Sequence, residues 1–179
     1  MTYEQIKSHS EVNALLERGN FNLGVMGFTD HSMAHCALVA ERAAYILKAL
    51  GYSEHEQELA KIAGCMHDIG NAINRKSHAE YGALLANDIL KEMGAATGDR
   101  MTIIAAIGNH DESTGGAKDP VSAALILLPY LLNDTIKSDE DVERYLNLSV
   151  LALIPTNEPT TNKKRGKLLW QTSESKNKD

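Results

Sequence analysis

The chain has 179 residues, 43% of them apolar and only 5% aromatic, with a formal charge of −6. That length suits one domain with a small extension, and the apolar fraction argues against wholesale disorder. Residues 155–179 carry a net +3 and the remainder −9, and so acidic a body lacks the clustered Lys and Arg that nucleic-acid binding needs.

In chain order, Tyr3–Arg18 places Ile6, Val12, Leu15 and Leu16 at helical spacing, with Gly19 as a stop. Phe21–Phe28 is Gly-rich and reads as a loop. Asp30 or Ser32 caps a helix that runs to about Leu50 and ends at Gly51; its apolar stripe is Ala34, Leu38, Val39, Ala43, Ile46, Leu47 and Leu50. Ser53 and Glu56 form a capping box for a helix carrying Leu59, Ile62, Ala63 and Met66, which ends at His67–Asp68–Ile69–Gly70. Ser77 caps a helix with Tyr81, Leu84, Leu85, Ile89 and Leu90, stopped by Gly94. Asp99 starts another with Ile103, Ile104 and Ile107, ending near His110. Glu112–Pro120 is a loop by composition. Asp119 then caps a last helix with Pro120 at its first position and Val121, Leu125 and Leu128 along it.

No strand is expected before residue 148, and there is no internal repeat. The expectation is an all-α fold, an irregular bundle of about six helices, with a domain over residues 1–132 and an extension over 133–179. In the extension, Asp139–Leu146 reads as a short amphipathic helix, Val150–Ile154 as an apolar run, and Thr156–Asp179 as a polar tail.

Cys36 and Cys65 are too few for a disulfide framework and read as buried free thiols. The N-terminus carries no signal-peptide core. The longest apolar stretch, Ala123–Leu132, is too short to span a bilayer and contains Pro129. A cytoplasmic protein with no membrane partner is expected. Leu125–Leu132 is a candidate helix-to-helix interface for a homo-oligomer if it is not buried.

Seven histidines are present. His9 and His55 sit among polar residues and read as surface groups. His35 lies on an apolar helix stripe with Leu38 and Val39. His67 and Asp68 end an apolar helix, where a carboxylate is costly unless it is paired or coordinated and where the helix dipole opposes it. His110 follows the apolar run Met101–Ile107. Three separate helices thus each present a His from an apolar face, which a divalent metal would explain.

The segments Asp30-His-Ser-Met-Ala-His35-Cys-Ala-Leu-Val-Ala and Ala63-Gly-Cys-Met-His67-Asp68-Ile-Gly resemble the HD superfamily of metal-dependent phosphohydrolases, over roughly residues 28–128. The stretches around His78 and His110 resemble segments that supply extra ligands in binuclear members. By that resemblance His35, His67, Asp68, His78 and His110 are the metal ligands, with Asp68 between two ions where two are bound. His31 would lie outside the set, near the helix cap. The cofactor would be one or two divalent ions, Fe, Mn, Zn, Co or Ni. The activity implied is hydrolysis of a small phosphorylated substrate, nucleotides included, by metal-activated water. Asp68, Arg75, Lys76 and Glu112 would be the catalytic residues. Arg75 and Lys76 would hold phosphoryl oxygens, and Glu112 would serve as a general base or support a ligand. Asp111 is a further candidate but reads better as part of a loop cap.

The pattern also implies a last Asp ligand on the helix after Asp119–Pro120. This chain reads Ala123-Ala-Leu-Ile-Leu-Leu-Pro129-Tyr there, and no carboxylate follows until Asp134. Asp134 or Asp111 would have to substitute. The segment Asp134–Pro155 resembles the cytoplasmic end of polysaccharide chain-length determinant proteins. Two alternatives therefore stand beside the hydrolase: a di-iron oxygenase of the same superfamily, and a non-catalytic metal-binding domain that has lost its last ligand.

Overall fold

The computed structural model describes residues 1–111 and 116–132, with side chains as far as Leu127. The fold is all-α. Its helices are α1 (Tyr3–Lys7), α2 (Ser10–Val25), α3 (Met33–Ala49), α4 (Glu54–Met66), α5 (His78–Glu92), α6 (Thr97–Gly108) and α7 (Pro120–Leu132), with one 3-10 turn at Ile69–Ala72. No strand occurs among the described residues. The expected Asp139–Leu146 helix, the Val150–Ile154 run, the chain-length-determinant resemblance and residues 112–115 of the expected Glu112–Pro120 loop lie outside the described residues.

Local chemistry sets most helix starts. The Ser53 hydroxyl accepts from Glu56 N, and the Glu56 carboxylate accepts from Ser53 N at 3.0 Å, a complete capping box. Ser32 caps α3 by accepting from Ala34 N. Asp119 caps α7, its Oδ1 accepting from Ser122 N at 2.8 Å, with Pro120 in the first position as expected. Ser77 does precede α5, but its side chain makes no capping bond. Gly51 and Gly94 adopt positive φ just after α3 and α5.

The first third of the chain departs from expectation in two places. The predicted Tyr3–Arg18 helix is broken at Ser8–His9. There the Ser8 hydroxyl donates to Gln5 O and Asn13 Nδ2 donates to Lys7 O, so side chains take over two carbonyls that a continuous helix would use, and His9 N turns to Ile6 O. Gly19 does not stop the second helix, and the expected Phe21–Phe28 loop is helical as far as Val25. Gly19 is a point of contact: a methyl there would sit 3.0 Å from Asn71 Cβ, so the missing side chain lets α2 lie directly on the 3-10 turn. Asn22, on the same side of α2, donates to Asn71 O and Ala72 O at 3.2 Å each.

Helix α3 packs on α4, the 3-10 turn lies between α2 and α5, α5 packs on α6, and α7 crosses α3, α4 and α6. The centre is filled by Ile6, Leu47, Ile62, Met66, Ile69, Leu90, Ile103 and Ile107, all fully buried. Burial of side chains of this size contributes about 1.5–3 kcal/mol each before conformational entropy is counted. Val121, Ala124, Leu125 and Ile126 belong to this buried set. The start of the apolar stretch considered as an oligomer interface is therefore interior. Cys36 and Cys65 are buried free thiols, as expected. No helix among the described residues is long and apolar enough to cross a membrane.

Candidate metal centre

Asp68 sits at the junction where α4 ends and the 3-10 turn begins, almost fully buried. Two close approaches bring other helices to it. Gly64 of α4 faces Ala40 of α3 so tightly that a methyl would stand 2.8 Å from Ala40 Cα. This draws α3, with His35, against the end of α4. On the other side Gly70 meets Gly82 with no side chain between them, which draws α5, with His78, against the turn.

The two oxygens of the Asp68 carboxylate face different partners. Oδ2 lies 3.0 Å from His67 Nε2 and 3.8 Å from His35 Nε2. Oδ1 lies 3.7 Å from His78 Nε2 and accepts a hydrogen bond from Asn71 Nδ2 at 2.8 Å. His78 Nε2 in turn stands 3.0 Å from His110 Nε2. Two groups of donor atoms result, each compact enough to hold a metal ion: His35, His67 and Asp68, and Asp68, His78 and His110. All five residues that the resemblance named as ligands are thus brought together. His78 is buried.

The imidazoles are oriented by one repeated device. His67 Nδ1 faces Gly64 O at 2.8 Å, His78 Nδ1 faces Arg75 O at 3.0 Å, and His110 Nδ1 faces Ile107 O at 2.6 Å. Each carbonyl belongs to the residue three positions earlier. For His67 it is one of the carbonyls that a helix end leaves free, and for His110 it lies in the last turn of α6. A carbonyl only accepts, so each Nδ1 carries the proton, and a neutral ring presents a bare Nε2 to the centre. This is how metal-ligating imidazoles are commonly held.

These atoms fit a cation. Bare His78 Nε2 and His110 Nε2 point lone pairs at each other across 3.0 Å, which is repulsive unless a positive charge lies between them. Nitrogen ligands about 2.1 Å from a shared ion stand roughly 3.0–3.4 Å apart. Asp68 Oδ2 is buried and has no hydrogen-bond partner among the described residues, although His67 Nε2 stands 3.0 Å away. Buried carboxylate oxygens of that kind call for a cation.

The electrostatics without metal express the same demand. Burial pushes the His110 pKa down to about 3, helped by positive charge at His67. Burial also lowers His35, with His67 adding to the effect, and lowers His78, with Arg75 adding. Burial opposes charge at His67 too, but the adjacent Asp68 carboxylate prevails and raises it well above its ordinary value. Burial would raise Asp68, yet His67 and the neighbouring histidines hold it well below the usual carboxylate range.

Other residues singled out from the sequence divide. Arg75 stands at the rim, its side chain 34% exposed, with Nη1 4.0 Å from Asp68 Oδ1 and its guanidinium over the Phe28 ring. Asp111 Oδ2 lies 3.8 Å from His78 Nδ1, so it belongs to this region. Lys76 is exposed and its side chain makes no ion pair or hydrogen bond among the described residues, so it is not brought to the centre. Glu112 and Asp134 lie outside the described residues, as does the Pro129 side chain. The His31 ring lies 5.2 Å from that of His35, with Nδ1 on Thr29 O at 2.7 Å, outside both donor groups. His55 is exposed and pairs with Asp99 at 2.8 Å. His9 is only half-exposed, with a buried Nδ1, and so is not the simple surface group expected. Sequence reasoning missed Asn71, whose signal was a lone polar residue three positions after Asp68 inside Ile69–Ile73.

The family profile of the HD domain matches residues 33–154. The chain belongs to the HD-domain family. The match starts on α3, just before His35, and includes every residue of the two donor groups. HD domains are associated with metal-dependent phosphohydrolases, and the histidine and aspartate groups here can hold a metal. The chain is similar to an uncharacterised protein of Methanocaldococcus jannaschii, 29% identical over 108 residues, which cover 52% of this chain and 42% of the relative. The chain therefore spans less than half of that relative's length. No solved structure matches the chain.

Proposed function

We propose that this chain is a metal-dependent phosphohydrolase that acts on a small phosphate ester, with two ions sharing the Asp68 carboxylate. The observation that carries the reading is the division of that carboxylate: one oxygen toward His35 and His67, the other toward His78 and His110. When bound, divalent ions supply Lewis acidity at phosphorus and a water acidic enough to ionise near neutral pH. The chain's own groups do the rest. His35, the most exposed of the five proposed ligands, and Arg75 form the open side. Arg75 binds non-bridging oxygens of the phosphoryl group, as a guanidinium suits that geometry. The buried His78–His110 side keeps bulk water away from one ion.

Fe, Mn, Co, Ni and Zn all suit this imidazole-rich set. The partner is a small phosphorylated molecule rather than nucleic acid, given the acidic body. The two unpaired thiols suit a reducing, cytoplasmic setting.

The test is release of inorganic phosphate from a panel of phosphate monoesters, nucleotides included. The chain is loaded with Mn²⁺ or Fe²⁺ and assayed in the absence of O₂, with Asp68→Asn and His67→Ala as controls. Turnover lost in both variants supports the reading. No turnover with any ester in the loaded chain refutes it. A His-rich pair of sites around one carboxylate also suits a di-iron oxygenase, and product formation that requires O₂ would select that reading instead.

A further inference from the structure

Asn71 is 2% exposed and uses both ends of its amide. Nδ2 donates to Asp68 Oδ1 at 2.8 Å and to Asp68 O at 3.1 Å. Oδ1 accepts from Arg75 Nη1 at 3.4 Å. The amide orientation is fixed by chemistry, since a carboxylate only accepts and a guanidinium only donates. The residue is also fixed in place. Its backbone N donates to Asp68 O at 3.0 Å, its backbone O accepts from Asn22, and its Cβ rests on Gly19 of α2.

We propose that Asn71 is a positioning residue that holds the Asp68 carboxylate in its divided orientation and keeps Arg75 from closing on it. Two consequences follow from the contacts. The bond to Oδ1 stops the carboxylate from rotating, which leaves Oδ2 without a donor among the described residues and turned toward His35 and His67. The bond from Arg75 holds the guanidinium 4.0 Å from Oδ1, short of a hydrogen-bonded pair. Without the amide, Arg75 and Asp68 can form a direct two-point pair. That pair would occupy both carboxylate oxygens and compete with a metal ion. Asn71 thus keeps one carboxylate available for metal and one guanidinium available for substrate, although the two are neighbours of opposite charge.

The inference rests on the metal reading of the site, and the test separates the two. Mn²⁺ alone is titrated calorimetrically into the full chain and its variants. Asn71→Leu, close in shape and lacking both bonds, is expected to bind roughly 10–100-fold more weakly, the usual effect of losing a group that orients a ligand. Arg75→Met alone should change affinity little. Arg75→Met added to Asn71→Leu should recover a large part of the loss, because the competing cation is gone; a purely structural role for Asn71 predicts no such recovery. Should Asn71→Leu not fold, Asn71→Ala takes its place in the same comparison. Affinity equal to wild type in the Asn71 variant, or no recovery in the double variant, overturns the inference while leaving the metal site standing. A wild-type chain that binds no Mn²⁺ overturns the metal reading and the inference with it.

Discussion

Gly70 and Gly82 meet backbone to backbone: a methyl on Gly70 would stand 2.6 Å from Gly82 N and overlap His78 O. Gly82 is confined too, though less severely, since a methyl there would lie 3.3 Å from His67 O. Contact between the turn after Asp68 and the first turns of α5 is what sets His78 Nε2 3.7 Å from Asp68 Oδ1. The spacing of half the centre therefore depends on two residues that carry no functional group.

Gly70→Ala is accordingly expected to be costly. The atoms in the way are backbone, which cannot swing aside as a side chain can, so α5 must move. Overpacking of this kind costs about 1–3 kcal/mol, and more where relief is blocked. Thermal unfolding should show a fall of several degrees or more, and metal affinity should fall with it. A Gly70→Ala chain that melts with wild type and binds metal as well would show that the contact is not tight in solution.

What could be read from the sequence was local. The Ser53–Glu56 box, Gly51 and the Asp119–Pro120 start are decided within a few residues, and each appears as expected. His35, His67, Asp68 and His110 stood out because a His or Asp on an apolar helix face is costly to bury unless something pairs with it or coordinates it, whereas His78 entered only through the resemblance to the HD superfamily. Gly19 was misread because the same residue that ends a helix by its freedom can also admit a neighbouring backbone, and only the position of Asn71 distinguishes the two. Ser8 and Asn13 broke the first helix through bonds to carbonyls that apolar periodicity does not register. Asn71 itself was missed because its partners are set by a 3-10 turn, whose spacing follows no apolar stripe. Lys76 was grouped with Arg75 by adjacency, yet only Arg75 is anchored, by Asn71 and Phe28.

The two donor groups should separate by mutation. His35→Ala removes a ligand from one group only, and His110→Ala from the other. Elemental analysis after loading and desalting should show close to two metal equivalents in wild type and about one in each variant. Asp68→Asn, which weakens both groups, should retain less than either. Full retention in His110→Ala would count against the buried second site.

Arg75→Met should act on substrate rather than on metal. The guanidinium is partly exposed and lies outside both donor groups. With a phosphate ester turned over by the loaded chain, KM should rise about tenfold or more, in line with the roughly 1.5–3 kcal/mol of a hydrogen bond to a charged group, while metal content stays at the wild-type value. Lys76→Met, altering an exposed side chain, should leave KM within about twofold. Equal effects of the two substitutions would remove the distinction between them.

The metal-free chain should lose stability in acid, and His110 should account for part of the loss. Its folded pKa is pushed down to about 3 by burial, against about 6.5 when unfolded. A group lowered on folding stabilises the fold fully above its unfolded value and loses that contribution as pH falls toward the folded value. The window for His110 is thus about pH 6.5 down to 3. His35 and His78 are lowered also and act in the same direction. Asp68, lowered as well, adds its loss further down, below the unfolded carboxylate value of about 3.9. His67 is raised and acts oppositely, its contribution being complete below about 6.5 and lost as pH climbs through its folded value. One linked proton corresponds to about 1.4 kcal/mol per pH unit inside its window. In chelator, the melting temperature should therefore fall from about pH 6.5 to 4. General acid denaturation would do the same, so the deciding comparison is His110→Gln, which cannot titrate there and should lose less over that interval. A variant whose melting temperature falls in parallel with wild type would mean that His110 takes up its proton without opposing the fold, and that its burial does not keep it neutral.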